Sequence, residues 1–173
     1  MTKLLLPIAS AALALAACAT APAPVAEPAA PAATVAEPVA ARATLSGADF
    51  LAQNASVPGV VTTASGLQYS IVKSGPASGP HPGRADTVNF DYEGKLLSGE
   101  TFDSSYTEGK PLEGQVNKFV PGFSEALQLM RPGDEWIVWI PPALGYGSKQ
   151  VGPIPPNSVL RFKLALHSVT PAS

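Results

Sequence analysis

The sequence predicts an α+β domain in which one helix packs on about five or six mostly antiparallel strands. Only one segment has helical periodicity: GFSEALQLMR (122–131) places Phe123, Ala126, Leu127 and Met130 at i, i+3, i+4 and i+7, on one face. Several other runs alternate apolar and polar residues with period two, as half-buried strands do. Gly- and Pro-rich stretches separate these runs, and no internal repeat interrupts the pattern.

Ahead of this domain the composition changes. Residues 1–17 carry Lys3, an apolar stretch of signal length and then small residues, which reads as a secretory signal, too short and Ala-rich for a membrane span. Leu15-Ala16-Ala17-Cys18 resembles the lipobox of bacterial lipoproteins, in which the cysteine becomes the acylated first residue. Ala19 follows it rather than the Asp that retains such proteins at the inner membrane, so the resemblance implies an outer-membrane anchor at Cys18. More than one acyl chain makes such an attachment stable. As the single cysteine, Cys18 excludes an intrachain disulfide and any Cys-based metal site. Residues 18–44 are nearly all Ala, Pro, Val and Glu, a composition that buries no core and forms a stiff disordered tether. Its polyproline-like reach is at most about 80 Å.

A lead-in spans 45–62, where Ser46 and Asp49 form a capping-box pattern before Phe50 and Leu51 and predict a short helix. The main domain is expected over 63–173. Leu67, Tyr69 and Ile71 alternate with Gln68, Ser70 and Val72. Val88, Phe90 and Tyr92 alternate with Thr87, Asn89 and Asp91. KLLSGETFD carries a Ser98-Gly99 turn signal between two short extended runs. Arg131-Pro132-Gly133 stops the helix. Trp136–Ile140 is continuously apolar and predicts a strand buried on both faces. In the last strand Leu160, Phe162, Leu164 and Leu166 alternate with Arg161, Lys163, Ala165 and His167. Between these two strands lies IPPALGYGSKQVGPIPPNS (140–158), a long loop that presents Tyr146 between two glycines.

The formal charge of −2 hardly changes when Lys3 is removed, and no basic patch points to a nucleic-acid partner. His81 and His167 lack ligand spacing and read as two solvated side chains, with no metal site. Gly122-Phe123-Ser124-Glu125-Ala126 begins like a nucleophile elbow but ends in Ala and lies in the wrong context, so acyl transfer is disfavoured. A better lead is the aromatic set Tyr92, Phe102, Phe119, Phe123, Trp139, Tyr146 and Phe162, although each of these singly fits a place in the core. Asp103 follows Phe102 directly. It points to the opposite face if the strand continues, shares a site if a bulge begins there, or is a turn residue bonded to local backbone.

Five blocks then stand in one order. Phe90-Asp91-Tyr92-Glu93-Gly94, Thr101-Phe102-Asp103-Ser104-Ser105, Phe119-Val120-Pro121-Gly122-Phe123, Leu144-Gly145-Tyr146-Gly147 and Ile154-Pro155-Pro156-Asn157 resemble, in order and spacing, the FKBP-type peptidyl-prolyl isomerases. The likeness runs from about Thr63 to Val169, and VTTASGLQY resembles the lead-in of the bacterial cell-envelope members. It implies a sheet wrapped around one central helix, with an apolar pocket for a proline ring. Phe123 takes the floor, where Trp is commoner. Tyr92, Phe102 and Phe162 match wall positions, with Leu112, Phe119 and Ile154 completing the substrate surface. Asp103 matches the pocket carboxylate that pairs with Tyr92, the Val120 N–H binds a substrate carbonyl, and the Tyr146 hydroxyl bonds the bound peptide or inhibitor. The resemblance makes Asp103, Tyr146 and Tyr92 the catalytic set.

The implied activity is isomerisation of X–Pro bonds in unfolded or folding envelope polypeptides, without cofactor, with macrolides as inhibitors. The alternative is a non-catalytic proline-peptide binding module or chaperone tethered to the outer membrane. A purely structural envelope lipoprotein leaves the five blocks unexplained. Three departures bear on pocket shape: Leu112 stands where an aromatic is common, Gly114 where bulk is usual, and the loop after Tyr146 is about one residue short and lacks a histidine. Related envelope proteins dimerise through a long N-terminal helical region. The tether here has no heptad pattern, and a monomer is expected.

Overall fold

The computed structural model describes residues 45–172. The expected signal segment (1–17), Cys18 and the rest of the 18–44 tether lie outside the described residues.

The chain enters through helix α1 (Gly47–Asn54), whose N-cap is Ser46. The Asp49 N–H donates to Ser46 Oγ at 3.2 Å, and the Ser46 hydroxyl donates to the Asp49 carboxylate at 2.6 Å. This closes the expected box, although the carboxylate takes the hydroxyl rather than the Ser46 backbone N–H. Seven strands follow: β1 (Val60–Thr62), β2 (Gln68–Lys73), β3 (Thr87–Leu96), β4 (Thr101–Ser104), β5 (Leu112–Gln115), β6 (Glu135–Ile140) and β7 (Leu160–Thr170). Their order is β1-β2-β6-β7-β3-β4, with β5 also on β3, and every pairing is antiparallel. The count exceeds the expected five or six because β1, β4 and β5 have three or four residues each, too few to show a period.

Helix α2 (Ser105–Glu108) is a single turn that stops at Gly109 in the left-handed region (φ 69°). Helix α3 (Pro121–Leu129) is the expected amphipathic helix. It starts on Pro121, whose missing N–H and fixed φ suit a first helical position, and ends as Met130 turns extended. Its Phe123, Ala126 and Leu127, with Met130, pack on Val88, Phe90, Val138, Leu164 and Leu166 from the inner face of the sheet.

Two strand readings need correction. Trp136, Val138 and Ile140 are buried on the inner face of β6, but of its outer residues only Trp139 is, because α1 lays Phe50 beside it with Val159. A strand buried throughout on both faces would need a second full layer. The buried amides of Asn54 and Gln68 hold that helix down: Asn54 Nδ2 donates to Gln68 Oε1 at 2.9 Å, and Gln68 Nε2 donates to the Leu51 carbonyl at 2.8 Å. Gln68, on the expected polar side of β2, is therefore buried. Ile71, expected inside, is 49% exposed although it stands opposite Trp136, because Tyr69 takes the stacking position on the Trp136 ring at 4.3 Å.

Neither histidine is merely solvated. Arg131 Nε donates to His81 Nε2 at 3.0 Å, and His81 Nδ1 lies 3.2 Å from the Met130 carbonyl at the end of α3. His167 Nε2 lies 2.8 Å from Asp91 Oδ2.

Candidate functional site

A β-bulge decides where Asp103 goes. Gly94 pairs with Asp103 and Lys95 with Thr101, so Phe102 is the extra residue on β4. The shift lets both Phe102 and Asp103 work on the helix-covered face of β3. The Tyr92 hydroxyl donates to Asp103 Oδ2 at 2.8 Å. Phe102 meets Phe162 edge-to-face, with ring centroids 5.6 Å apart. Of the three readings of Asp103, the shared site is the one realised.

Burial foremost, then the hydrogen bond to and negative charge of Asp103, with Glu108 and Tyr146 adding to it, push the Tyr92 phenol far above the ordinary tyrosine range. The phenol therefore stays protonated and able to donate.

Phe123, in the first turn of α3, is the hub of the ring cluster. Four rings surround it: Phe162 at 5.1 Å and 90°, Phe119 at 5.2 Å, Phe90 at 5.4 Å and Tyr92 at 6.3 Å and 88°. Edge-to-face contacts of this kind suit the quadrupoles of aromatic rings. Phe123 and Phe162 are buried, whereas Tyr92, Phe102, Leu112, Phe119, Val120 and Tyr146 are half-buried around them. These half-buried side chains form an apolar rim, with the exposed Asp103 carboxylate beside it.

Two glycines make room for the rings. A Cβ on Gly94 would stand 2.6 Å from Phe102 Cζ and 2.8 Å from Phe162 Cε1, so both rings lie directly on the β3 backbone. A Cβ on Gly114 would stand 3.0 Å from Phe119 Cζ. Bulk missing at 114 is thus supplied by the ring at 119, reaching over from the other side.

The Pro/Gly loop is ordered by its own backbone. Leu144 N–H donates to the Pro141 carbonyl (2.9 Å), Gly147 N–H to that of Pro142 (2.8 Å) and Asn157 N–H to that of Gly147 (2.8 Å). Val151 and Ile154 exchange two backbone bonds, which tucks Ile154 into the ring cluster. Tyr146 packs on the same cluster, and its hydroxyl has no hydrogen-bond partner among the described residues. Val120 is the N-cap of α3, and its N–H also has no partner among them. Ser124 is spent structurally: its hydroxyl donates to the carbonyls of Val116 (2.6 Å) and Phe119 (3.2 Å), fastening the segment that carries Phe119 and Val120.

The nine expected apolar or aromatic site positions and Asp103 are therefore brought together, whereas one member of the wider aromatic set is not. Trp139 lies on the opposite face of the sheet with Phe50 and Val159. Its place in an unbroken apolar run hid which way it pointed. Sequence reasoning passed over Phe90 and Gly94. Phe90 reads as one more core position, but glycine inside an alternating strand is itself a signal of close approach. A separate depression, lined by Leu45, Leu96, Leu97, Pro155, Asn157 and Val159 among others, has no titratable lining residue and no ring cluster.

Residues 79–167 match the family of FKBP-type peptidyl-prolyl cis-trans isomerases. The chain belongs to that family. Residues 25–71 match the domain amino terminal to FKBP-type peptidyl-prolyl isomerases, a stretch that takes in α1 and β1. This FKBP-type chain is 48% identical over 125 residues to outer membrane protein MIP of Legionella longbeachae, covering 72% of this chain and 53% of that one. It is 44% identical over 121 residues to the FKBP-type 22 kDa peptidyl-prolyl cis-trans isomerase of Escherichia coli (strain K12), covering 69% and 58%. The chain thus spans little more than half the length of these relatives. Among solved structures it is similar to FkpA from Escherichia coli, with TM-score 0.70, 38% identity and 78% of this chain and 62% of that one covered. It is also similar to a peptidyl-prolyl cis-trans isomerase from Pseudomonas syringae pv. tomato, with TM-score 0.67, 30% identity and 72% and 91% covered.

Proposed function

We propose that the chain isomerises X–Pro bonds of unfolded or folding cell-envelope polypeptides. The observation that carries this is the ring cluster centred on Phe123, with the Tyr92–Asp103 pair at its edge and Tyr146 on the facing loop. The proline ring enters among Phe102, Leu112, Phe119, Phe123, Ile154 and Phe162. The Val120 N–H takes a substrate carbonyl, and the Tyr146 hydroxyl bonds the peptide beyond it. Asp103, Tyr92 and Tyr146 are the polar groups in contact with the reacting imide.

Rotation about X–Pro is slow, roughly tens to hundreds of seconds uncatalysed, because amide resonance is lost in the twisted state. That state has less charge on oxygen and a more pyramidal nitrogen than the planar imide. An apolar surround therefore disfavours the planar, polar ground state relative to the twisted one. Each differential of about 1.4 kcal/mol is worth tenfold in rate. No nucleophile and no cofactor enters this scheme.

A signal segment over 1–17, a lipid anchor at Cys18, an 18–44 tether, a 45–62 lead-in and an isomerase domain over 63–173 complete the reading. The outer-membrane designation of the Legionella relative supports an envelope location, here on the outer membrane facing the periplasm. The chain acts as a monomer, which sedimentation tests: a tight dimer overturns it. The activity test is peptide-coupled isomerisation by the purified chain, with and without a macrolide. Catalysis lost on adding macrolide is expected. Suppressed aggregation of a client without isomerisation would replace the enzyme with a proline-binding chaperone.

A further inference from the structure

Strand β3 has a gap in one edge. Along its other edge β7 pairs with it from Thr87 to Leu96. On this edge β5 reaches only as far as Phe90, opposite Leu112, and β4 begins at Glu93, opposite Ser104. Asp91 and Tyr92 therefore lie where neither short strand supplies a partner, and an unpaired backbone N–H there would be costly.

Ser105, the first residue of α2 and 2% exposed, fills the gap. The Tyr92 N–H donates to Ser105 Oγ at 3.0 Å, and the Ser105 hydroxyl donates to Asp91 Oδ1 at 2.7 Å. The other Asp91 oxygen meets His167 of β7 at 2.8 Å. Burial opposes the Asp91 charge, but the hydrogen bonds from Ser105 and His167 and the charge of His167 outweigh it and leave the carboxyl below its ordinary value. Asp91 is thus held as an acceptor. Around it on the same sheet face stand Glu93 and Lys95, ion-paired at 3.0 Å, together with Lys163, Glu135 and, from α2, Tyr106.

Tyr92 is consequently tied twice to one three-residue segment, by its N–H to Ser105 and by its hydroxyl to Asp103. A bulged edge strand is a weak frame by itself, since the ladder is broken where the extra residue sits. We infer that Ser105 and Asp91 are positioning residues for the Tyr92–Asp103 pair, an inference that rests on the isomerase reading above.

The test compares Ser105→Ala, Ser105→Thr and Asp91→Asn with the wild-type chain in two measurements. One is peptide isomerisation. The other is ¹³C NMR of tyrosine Cζ during an alkaline titration, which reads the Tyr92–Asp103 bond whether or not the chain is active. Ser105→Ala is expected to fold cooperatively and isomerise about tenfold more slowly, since small misplacements of a reacting group carry losses of that order or more. Its Tyr92 phenolate is expected to begin forming at a lower pH than in wild type, since the Asp103 contribution weakens while the burial of the phenol remains. Ser105→Thr, which keeps the hydroxyl, restores both. Wild-type rate and titration in Ser105→Ala overturn the inference. If that variant does not fold, Asp91→Asn is read by the same criteria. If the wild type proves inactive, the isomerase reading falls, and the titration still decides whether Ser105 holds the pair.

Discussion

The Tyr92 hydroxyl meets the Asp103 carboxylate at 2.8 Å, across a bulge that also turns Phe102 onto the same rings. Asp103 is exposed, so its place in the site comes from this bond and not from burial. Removing either partner loses a hydrogen bond to a charged group, which is expected to lower kcat/KM for a proline peptide about tenfold or more. Peptide-coupled kinetics on Asp103→Ala and Tyr92→Phe check this, with unfolding midpoints close to wild type expected for Asp103→Ala. Unchanged kinetics would take the pair out of the mechanism.

The same bond has a signature in alkali. The fold raises the Tyr92 pKa above the ordinary 10.0, through burial first and Asp103 second. As pH rises past 10.0 the unfolded chain therefore loses this proton before the folded one, and the stability tied to it is present below that pH and lost above it. The stability difference between wild type and Tyr92→Phe should stay level from about pH 7 to 9 and shrink above 10. Tyr106, also raised, is common to both proteins and cancels. A difference that stays level into strong alkali would contradict the assignment.

Gly94→Ala introduces a methyl 2.6 Å from Phe102 and 2.8 Å from Phe162. The neighbours are ring atoms held by other rings, so they have little room to yield, and overpacking of this kind costs about 1–3 kcal/mol. Urea unfolding should show that loss, and peptide affinity should fall with it as both wall rings move.

At Gly114 the contact is softer, 3.0 Å to the Phe119 ring edge. Gly114→Ala should be accommodated by a small ring shift, whereas Gly114→Val should push Phe119 toward the rim and weaken binding of a proline peptide several-fold. NMR titration of the two variants separates these outcomes. Equal affinity in both would show that Phe119 does not shape the binding surface.

On the opposite face, Phe50 holds α1 against Trp139. Phe50→Ala is expected to destabilise the fold by about 3–5 kcal/mol, the range for emptying a buried phenyl site. Trp139 should then emit at longer wavelength before global unfolding. Since the site lies across the sheet, kcat per folded molecule should hold.

The sequence by itself determined the elements whose chemistry is local: the Ser46–Asp49 cap, the 3.6-residue period of α3, the alternation of β7 and the broken backbone of the 141–158 loop. Capping, periodicity and proline geometry act within a few residues, and they are legible in one line of text. It also placed most of the ring cluster, through motif blocks whose order resembles a family's. The tertiary structure alone decided which face each ambiguous side chain occupies. Trp139 goes outward because α1 covers it, Ile71 is exposed because Tyr69 has taken Trp136, and Asp103 faces Tyr92 because β4 carries one residue more than β3 can match. It also decided that Ser105 closes the gap between β4 and β5. Each of these depends on the register of strands distant in sequence, where a shift of one residue reverses every side chain and local patterning has nothing to say.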